Sequence, residues 1–284
     1  MLQFENINTV GMIVVERFVK AALAEDVGRG DLYAQVSAAV PASARIVAKS
    51  DGVLAGVPYA DALAELEGFS LTWGFGDGER FAAGDVIARL EGDSHTLLRC
   101  ERTLLNMVLH ASSIATLTRR FAEVVAPYGT KLLDTRKTRP MLRVFEKYAT
   151  RQGGAVNHRM GLDDSLMLKD THLRTIPDLD AYMAEARRQI PFTTKIEIEA
   201  ESFEQAKTFM AVGADIVMCD NMTPEQLAEV VAYRDANHPG VLLEASGNIS
   251  LETVESYAKT GVDAISSGSL IHQANWIDIS MKMD

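Results

Sequence analysis

The chain has 284 residues, 47% of them hydrophobic and 24% charged, with a formal net charge of -11. Such a length can bury a substantial core, in one large domain or two smaller ones. The acidic balance argues against nucleic-acid binding, no apolar run is long enough to span a membrane, and residues 1–12 lack a secretory signal's basic and apolar regions, so a cytoplasmic protein is expected. Cys100 and Cys219 stand alone in apolar contexts, without CxxC spacing, and read as small buried hydrophobes.

Residues 1–11 carry no clear period. Apolar residues recur at helical spacing over residues 13–24 and predict an amphipathic helix, stopped by Gly28 and Gly30. Residues 44–57 predict two short strands around the Asp51-Gly52 turn. A helix over PYADALAELEG follows, with Pro58 in its first turn and Gly68 past its end. GFGDGERF, from Gly74, contains GxGxG. The strand-like run DVIARLEG follows it instead of a helix, so a hairpin turn is expected and not a dinucleotide loop. Residues 95–125 are strongly helical and read as two helices broken near residues 111–113. By itself Arg102 there reads as one half of a helix-surface ion pair.

After Pro127 short β-like runs alternate with helical ones. KLLDTR (131–136), SLMLKD (165–170), KIEIEA (195–200), DIVMCD (215–220), GVLLEASG (240–247) and DAISSGS (263–269) predict strands. Helices fit between most of them, with Ser202, Thr223 and Ser250 as caps and Pro177 and Pro224 in first turns. This alternation implies parallel strands joined by right-handed crossovers. Six units, with a further candidate strand near residues 153–157, predict a closed or nearly closed α/β barrel.

Residues 131–173 are basic within this acidic chain. Lys131, Arg136, Lys137, Arg139, Arg143, Lys147, Arg151, Arg159 and Lys169 face only Asp134, Glu146, Asp163, Asp164 and Asp170. Cations near an interior are costly unless paired, and an anionic ligand is favoured over protein acids as their partner. Catalytic groups of a barrel gather at the C-terminal ends of its strands. There the sequence puts Arg136, Lys137 and Lys169 on one side, and Glu197, Glu199, Asp220 and Glu244 on the other. Such a rim suits a substrate that is anionic at one end and carries a metal-bound or sugar portion at the other. Glu197 and Glu199 share a strand face, and Glu199 is nearer the rim. With Asp220 it could hold hydrated Mg²⁺. ASGN (245–248) and SSGS (266–269) each precede a helical stretch and offer backbone N–H groups to a phosphate. His158, beside Arg159, is a candidate anion contact. Zinc spacing and a GxSxG elbow are both missing.

DTRKT (134–138), LRVFEKYA (142–149), NHRMGLDD (157–164), LKDTH (168–172), CDN (219–221) and EASGNI (244–249) together resemble the quinolinate phosphoribosyltransferase family. The resemblance implies an N-terminal open α/β sandwich (residues 12–112, completed by 272–284). An incomplete α/β barrel of about seven strands follows (residues 113–271). It implies that quinolinate and phosphoribosyl pyrophosphate give nicotinate mononucleotide, CO₂ and pyrophosphate in NAD biosynthesis. Arg136, His158 and Arg159 would hold the quinolinate carboxylates, with Lys137 and Lys169 adding positive field. Arg102 would reach a neighbouring site across a homodimer, and further assembly to a hexamer is left open. Glu199 and Asp220 would lie at the ribose and Mg²⁺, while Ser246, Gly247 and Gly268, with Asn248 and Ser267 in the same loops, would take the 5′-phosphate. Asn248 and Met141 depart from the family pattern, which commonly has small residues there. Two alternatives stand beside this: a molybdenum-utilisation paralogue acting on another aromatic acid, and a silent barrel that binds a phosphorylated metabolite.

Overall fold

The computed structural model describes residues 9–284. The chain forms two compact units, one running to Thr116 and including Asn275–Asp284, the other spanning Leu117–Ala274.

In the first unit the opening helix, Thr9–Val27 (α1), extends beyond both ends of the expected 13–24 segment. Residues 1–8 of the unpatterned N-terminal stretch lie outside the described residues. Strands Pro41–Ala48 (β1), Gly52–Val53 (β2), Ser70–Trp73 (β3), Arg80–Phe81 (β4) and Val86–Asp93 (β5) follow. A four-stranded antiparallel sheet runs in the order C-terminal strand Ile279–Met283, β1, β5, β3. Alternation on β1 buries Ala44, Ile46 and Ala48 and leaves Arg45 outside, as expected of a sheet with one covered face.

The two strands flanking Asp51-Gly52 exist but are not partners. Both edges of β1 are already taken, so β2 pairs with β4 in a separate ribbon. Val57–Glu67 (the helix predicted over PYADALAELEG) has Pro58 in its first turn, and Gly68 closes it at φ 78 with its N–H on Ala64 O. The glycine-rich GFGDGERF segment joins β3 to β4 and opens no helix, which excludes a dinucleotide loop there.

Residues 94–125 form one helix, Ser94–Val125, and not two. The serines that suggested a break are satisfied in place. Ser113 and Thr116 hydroxyls donate to Leu109 O and Ser112 O one turn back, and the Ser112 hydroxyl bonds Ala55. Hydroxyls that bond the preceding turn need not interrupt the helix. The division between the two units falls within this helix.

The second unit is built on six parallel strands: Lys131–Leu133 (β6), Leu166–Leu168 (β7), Ile196–Ala200 (β8), Ile216–Asp220 (β9), Leu242–Ser246 (β10) and Ala264–Ser266 (β11). Their order is β6-β11-β10-β9-β8-β7. The candidate strand at 153–157 reduces to a single parallel bridge, Val156 to Leu133. Gly154 at φ 105 turns the chain, and the Asn157 side chain is drawn to Asp134, so no run of pairs can follow. Among the described residues the barrel therefore stays open, as the family resemblance implied and the strand count alone did not.

Ile196, Ile198, Ala200, Val217, Cys219, Leu243, Ala245 and Ile265 join the buried apolar cluster. Period-two alternation then turns Glu197, Glu199, Asp220 and Glu244 to the opposite face. Ser202 caps the helix Phe203–Ala211. Thr223 and Gln226 form a capping box on Pro224–Asn237, with Pro224 in its first turn. Pro177 lies ahead of the helix Leu179–Gln189, because Asp178 is its cap. Ser250 sits in a turn whose carbonyl takes N–H groups from Thr253 and Val254, so the helix Val254–Ala258 starts later than expected. Both cysteines are buried, and burial pushes each thiol up to about 12. Among the described residues, no helix is long and apolar enough to cross a membrane.

Candidate functional site

One buried ion pair fixes the segment after β6. Lys147, on the helix Arg143–Gln152, and Asp134 are both fully buried with Nζ and Oδ1 2.6 Å apart. Asp134 also accepts from Thr150 Oγ1 (2.9 Å), Asn157 Nδ2 (2.5 Å) and the His158 N–H (2.8 Å). Lys147 donates to the carbonyls of His158 (2.7 Å) and Arg159 (3.1 Å). Together the two side chains clamp the backbone that presents His158 and Arg159.

The cations of the basic stretch divide. Lys147 pairs with Asp134, Arg139 with Glu146 at 2.5 Å, and Lys169 with Glu199 at 2.5 Å. For those three, protein acids and not a ligand provide the pairing. Arg136, Lys137 and Arg159 have no ion pair among the described residues. Arg159 is buried, with its guanidinium on Ser165 O (2.9 Å) and beside Met167 Sδ (3.4 Å). Burial and then the nearby Arg136 charge hold its pKa below the ordinary arginine value. The Glu197 and Asp164 charges act against this at a distance, and neither guanidinium has an ion-pair partner among the described residues, which suits an anionic group.

His158 is placed differently from the expectation of a direct substrate contact. Its Nε2 lies 3.3 Å from both Glu197 Oε2 and Glu244 Oε2, and its Nδ1 accepts the Arg159 N–H at 2.7 Å. Both ring nitrogens are thus committed inside the protein, and no free ring N–H is left for a substrate carboxylate. Burial opposes charge on the ring, but the hydrogen bonds and field of the two glutamates outweigh it and push its pKa up to about 10. Burial likewise raises the Glu197 carboxyl. Since Nδ1 takes an amide N–H, the ring N–H is on Nε2, directed at the two carboxylates. The three side chains come close enough to suggest a metal site. A metal-bound imidazole, however, donates its other N–H, whereas here that nitrogen accepts.

Glu199 and Asp220 stand at the ends of β8 and β9 on the same face. Burial, then the Glu199 charge, raises the Asp220 carboxyl, while Lys169, Asn221 and Lys137 act against this rise. The two neighbouring carboxylates are of the kind that holds a divalent cation, and a cation there would compete with the Lys169 ammonium for Glu199.

At the ends of β10 and β11, Ser246 Oγ accepts from Ser266 Oγ at 3.1 Å. Gly247 has φ 93, and a Cβ there would stand 2.3 Å from Asn221 Oδ1. Gly268 is packed so closely that a Cβ would meet Lys137 Cδ at 2.8 Å. The N–H groups of Gly247, Asn248 and Gly268 find no acceptor among the described residues. Ser267 does not share this exposure. It is buried, its hydroxyl bonds Ile249 O and Ser269 Oγ, and its N–H goes to Leu133 O. Only the SSGS loop runs directly into a helix, Ser269–His272; after ASGN a turn intervenes.

Arg102, in the first unit, is exposed and has no ion partner among the described residues; Arg99 instead pairs with Glu67 at 2.6 Å. The sequence reading missed the clamp of Asp134 and Lys147 and the link from His158 to Glu244. Glu146, Lys147 and Thr150 are all buried on one short helix, so no hydrophobic period marked Lys147 as interior.

The family model described as the quinolinate phosphoribosyl transferase N-terminal domain matches residues 31–112, and that of the C-terminal domain matches residues 114–282. A Synechocystis protein named "probable nicotinate-nucleotide pyrophosphorylase (carboxylating)" is 39% identical over 95% of this chain and 93% of its own. The Mycobacterium leprae nicotinate-nucleotide pyrophosphorylase (carboxylating) is 36% identical over 93% of this chain and 95% of its own. The solved structure of the nicotinate-nucleotide pyrophosphorylase from Francisella tularensis superposes with a TM-score of 0.91 at 32% identity, covering 100% of both chains. With both domain models matched in order and full-length relatives above 30% identity, the chain belongs to the quinolinate phosphoribosyl transferase family.

Proposed function

We propose that this chain is a carboxylating nicotinate-nucleotide pyrophosphorylase of NAD biosynthesis. It joins quinolinate to phosphoribosyl pyrophosphate and releases pyrophosphate and CO₂. The observation that carries this is the pair of guanidiniums, Arg136 and Arg159, without ion-pair partners among the described residues, on a rim whose other side holds Glu199 and Asp220. Planar forks suit the two carboxylates of quinolinate. Lys137 and Lys169 add positive field, and His158, held from behind, orients the Arg159 backbone instead of touching substrate.

In the reaction the pyridine nitrogen forms a bond to the ribose anomeric carbon as the bond to pyrophosphate breaks. Positive charge developing on the ribose is stabilised by Glu199 and Asp220. The 2-carboxylate then leaves as CO₂, its bonding pair stays at C2 beside the cationic ring nitrogen, and C2 takes up a proton. The protein's part is positioning and charge compensation. The Ser246, Gly247, Asn248 and Gly268 loops suit the 5′-phosphate, with free N–H groups at the last three. Glu199 and Asp220 would hold Mg²⁺, directly or through water. A bound cation of this kind supplies positive charge to pyrophosphate oxygens. The same reading has a cytoplasmic homodimer in which Arg102 completes the neighbouring site, with assembly to a hexamer open to it.

Acceptor choice tests the proposal. Quinolinate should be used at least about a hundredfold better than nicotinate, which lacks the carboxylate that a second clamp requires. Equal use of the two acids would overturn it.

A further inference from the structure

The loops after β9 and β10 are tied by a relay of side chains that the reaction as described does not use. Asn248 Nδ2 donates to Asn221 Oδ1 at 3.0 Å, and Asn221 Nδ2 donates to Asp220 Oδ2 at 2.7 Å. The Asn221 N–H meanwhile donates to Ser246 O at 2.9 Å. Asn221 and Asn248 both have left-handed backbones, φ 55 and φ 52, and Gly247, beside Asn248 in the second loop, has φ 93. Asparagine tolerates that conformation better than most residues with a side chain. Gly247 is needed for the approach, since any Cβ would collide with the Asn221 amide. The residue at 248 is thus more than a tolerated substitute for glycine, because its side chain reaches the neighbouring strand end.

The Asn221 amide fixes one Asp220 carboxylate oxygen. Asn221 is in turn held on one side by Asn248 and on the other by the Ser246 carbonyl, both parts of the loop with free N–H groups.

We propose that Asn221 and Asn248 are positioning residues: they couple the loop 246–248 to the Asp220 carboxylate, so that phosphate in the loop orders the carboxylate that faces the ribose. This rests on the phosphoribosyl reading of the site. The coupling acts in series, since Asn248 reaches Asp220 only through Asn221.

Asn221→Gly, Asn248→Gly and the double variant test this, because glycine admits the left-handed backbone without strain and removes the side-chain bonds. Ribose 5-phosphate binding is measured by calorimetry, and KM for each substrate by steady-state kinetics. Asn221→Gly should weaken ribose 5-phosphate binding and raise KM for phosphoribosyl pyrophosphate about tenfold, and Asn248→Gly about threefold, the scale of hydrogen bonds to a charged group and between neutral groups. The double variant should match Asn221→Gly alone. KM for quinolinate should stay within about twofold, which a general loss of structure would not allow. Additive effects, equal shifts in both KM values, or unchanged ribose 5-phosphate binding in Asn221→Gly would overturn the relay. Absence of turnover in the unaltered protein would sink the reaction, while calorimetry would still decide the relay; no binding of ribose 5-phosphate to the unaltered protein would overturn the relay too.

Discussion

Asp134→Asn should destabilise the second unit severely, although it changes one atom type. It would leave the Lys147 ammonium without its 2.6 Å counter-charge at a position with no solvent exposure. Breaking a buried pair from one side costs about 3–5 kcal/mol, because the remaining charge is stranded. At about 2–4 °C per kcal/mol for a unit of this size, the melting midpoint should fall by roughly 6–20 °C. Asp134 also accepts the His158 N–H, and Lys147 also holds the His158 and Arg159 carbonyls, so use of the acid substrate should fall as well. Replacing both partners, Asp134→Leu with Lys147→Met, should recover at least half of the lost stability, because an apolar pair strands no charge. It should not restore activity, since the backbone clamp is gone. Scanning calorimetry with steady-state kinetics on the same preparations measures both. Asp134→Asn melting within about 2 °C of the unaltered protein would refute the clamp.

Further expectations follow from the rim. Arg136→Ala should lower kcat/KM for quinolinate by about a hundredfold or more while phosphoribosyl pyrophosphate binding changes less than about threefold, and Arg136→Lys should not rescue it, because an ammonium lacks the planar fork. The glutamates around His158 hold its proton more tightly in the folded chain, raising its pKa from 6.5 to about 10. The folded state then binds more protons, so this stabilisation is complete below about pH 6.5 and is lost as pH rises through about 10. Glu244→Gln should flatten that decline in chemical denaturation across the pH range. Gly247→Ala should raise KM for phosphoribosyl pyrophosphate more than tenfold, since its Cβ meets Asn221 at 2.3 Å at positive φ. Gly268→Ala should cost less, because there the collision is with the flexible Lys137 stem.

How much of this was legible in the sequence depended on whether a signal was local. The strand-helix alternation after Pro127 is local, and all six strands lie within the runs that announced them. Glu199 and Asp220 stand where the sequence puts them, on one face at the ends of β8 and β9, because strand ends and alternation fix both height and face. The break expected in Ser94–Val125 failed because the hydroxyls of Ser112, Ser113 and Thr116 find their partners through tertiary and one-turn contacts. Hairpin pairing of β1 with β2 failed because the C-terminal strand and β5, distant in sequence, already occupy both edges of β1. His158 and Ser267 were placed on the substrate from their neighbours in sequence, yet what decides each is a partner brought from elsewhere: Glu244 from β10 for one, Ile249 for the other. Nor could spacing show which cations would be neutralised within the protein.

The most direct test of the central claim is mass-spectrometric product analysis after purified protein is mixed with quinolinate, phosphoribosyl pyrophosphate and Mg²⁺. Nicotinate mononucleotide should appear, with release of CO₂, only when all three are present. A folded protein that gives no mononucleotide under these conditions, or one that leaves the 2-carboxylate in its product, would contradict the reaction assigned to this rim.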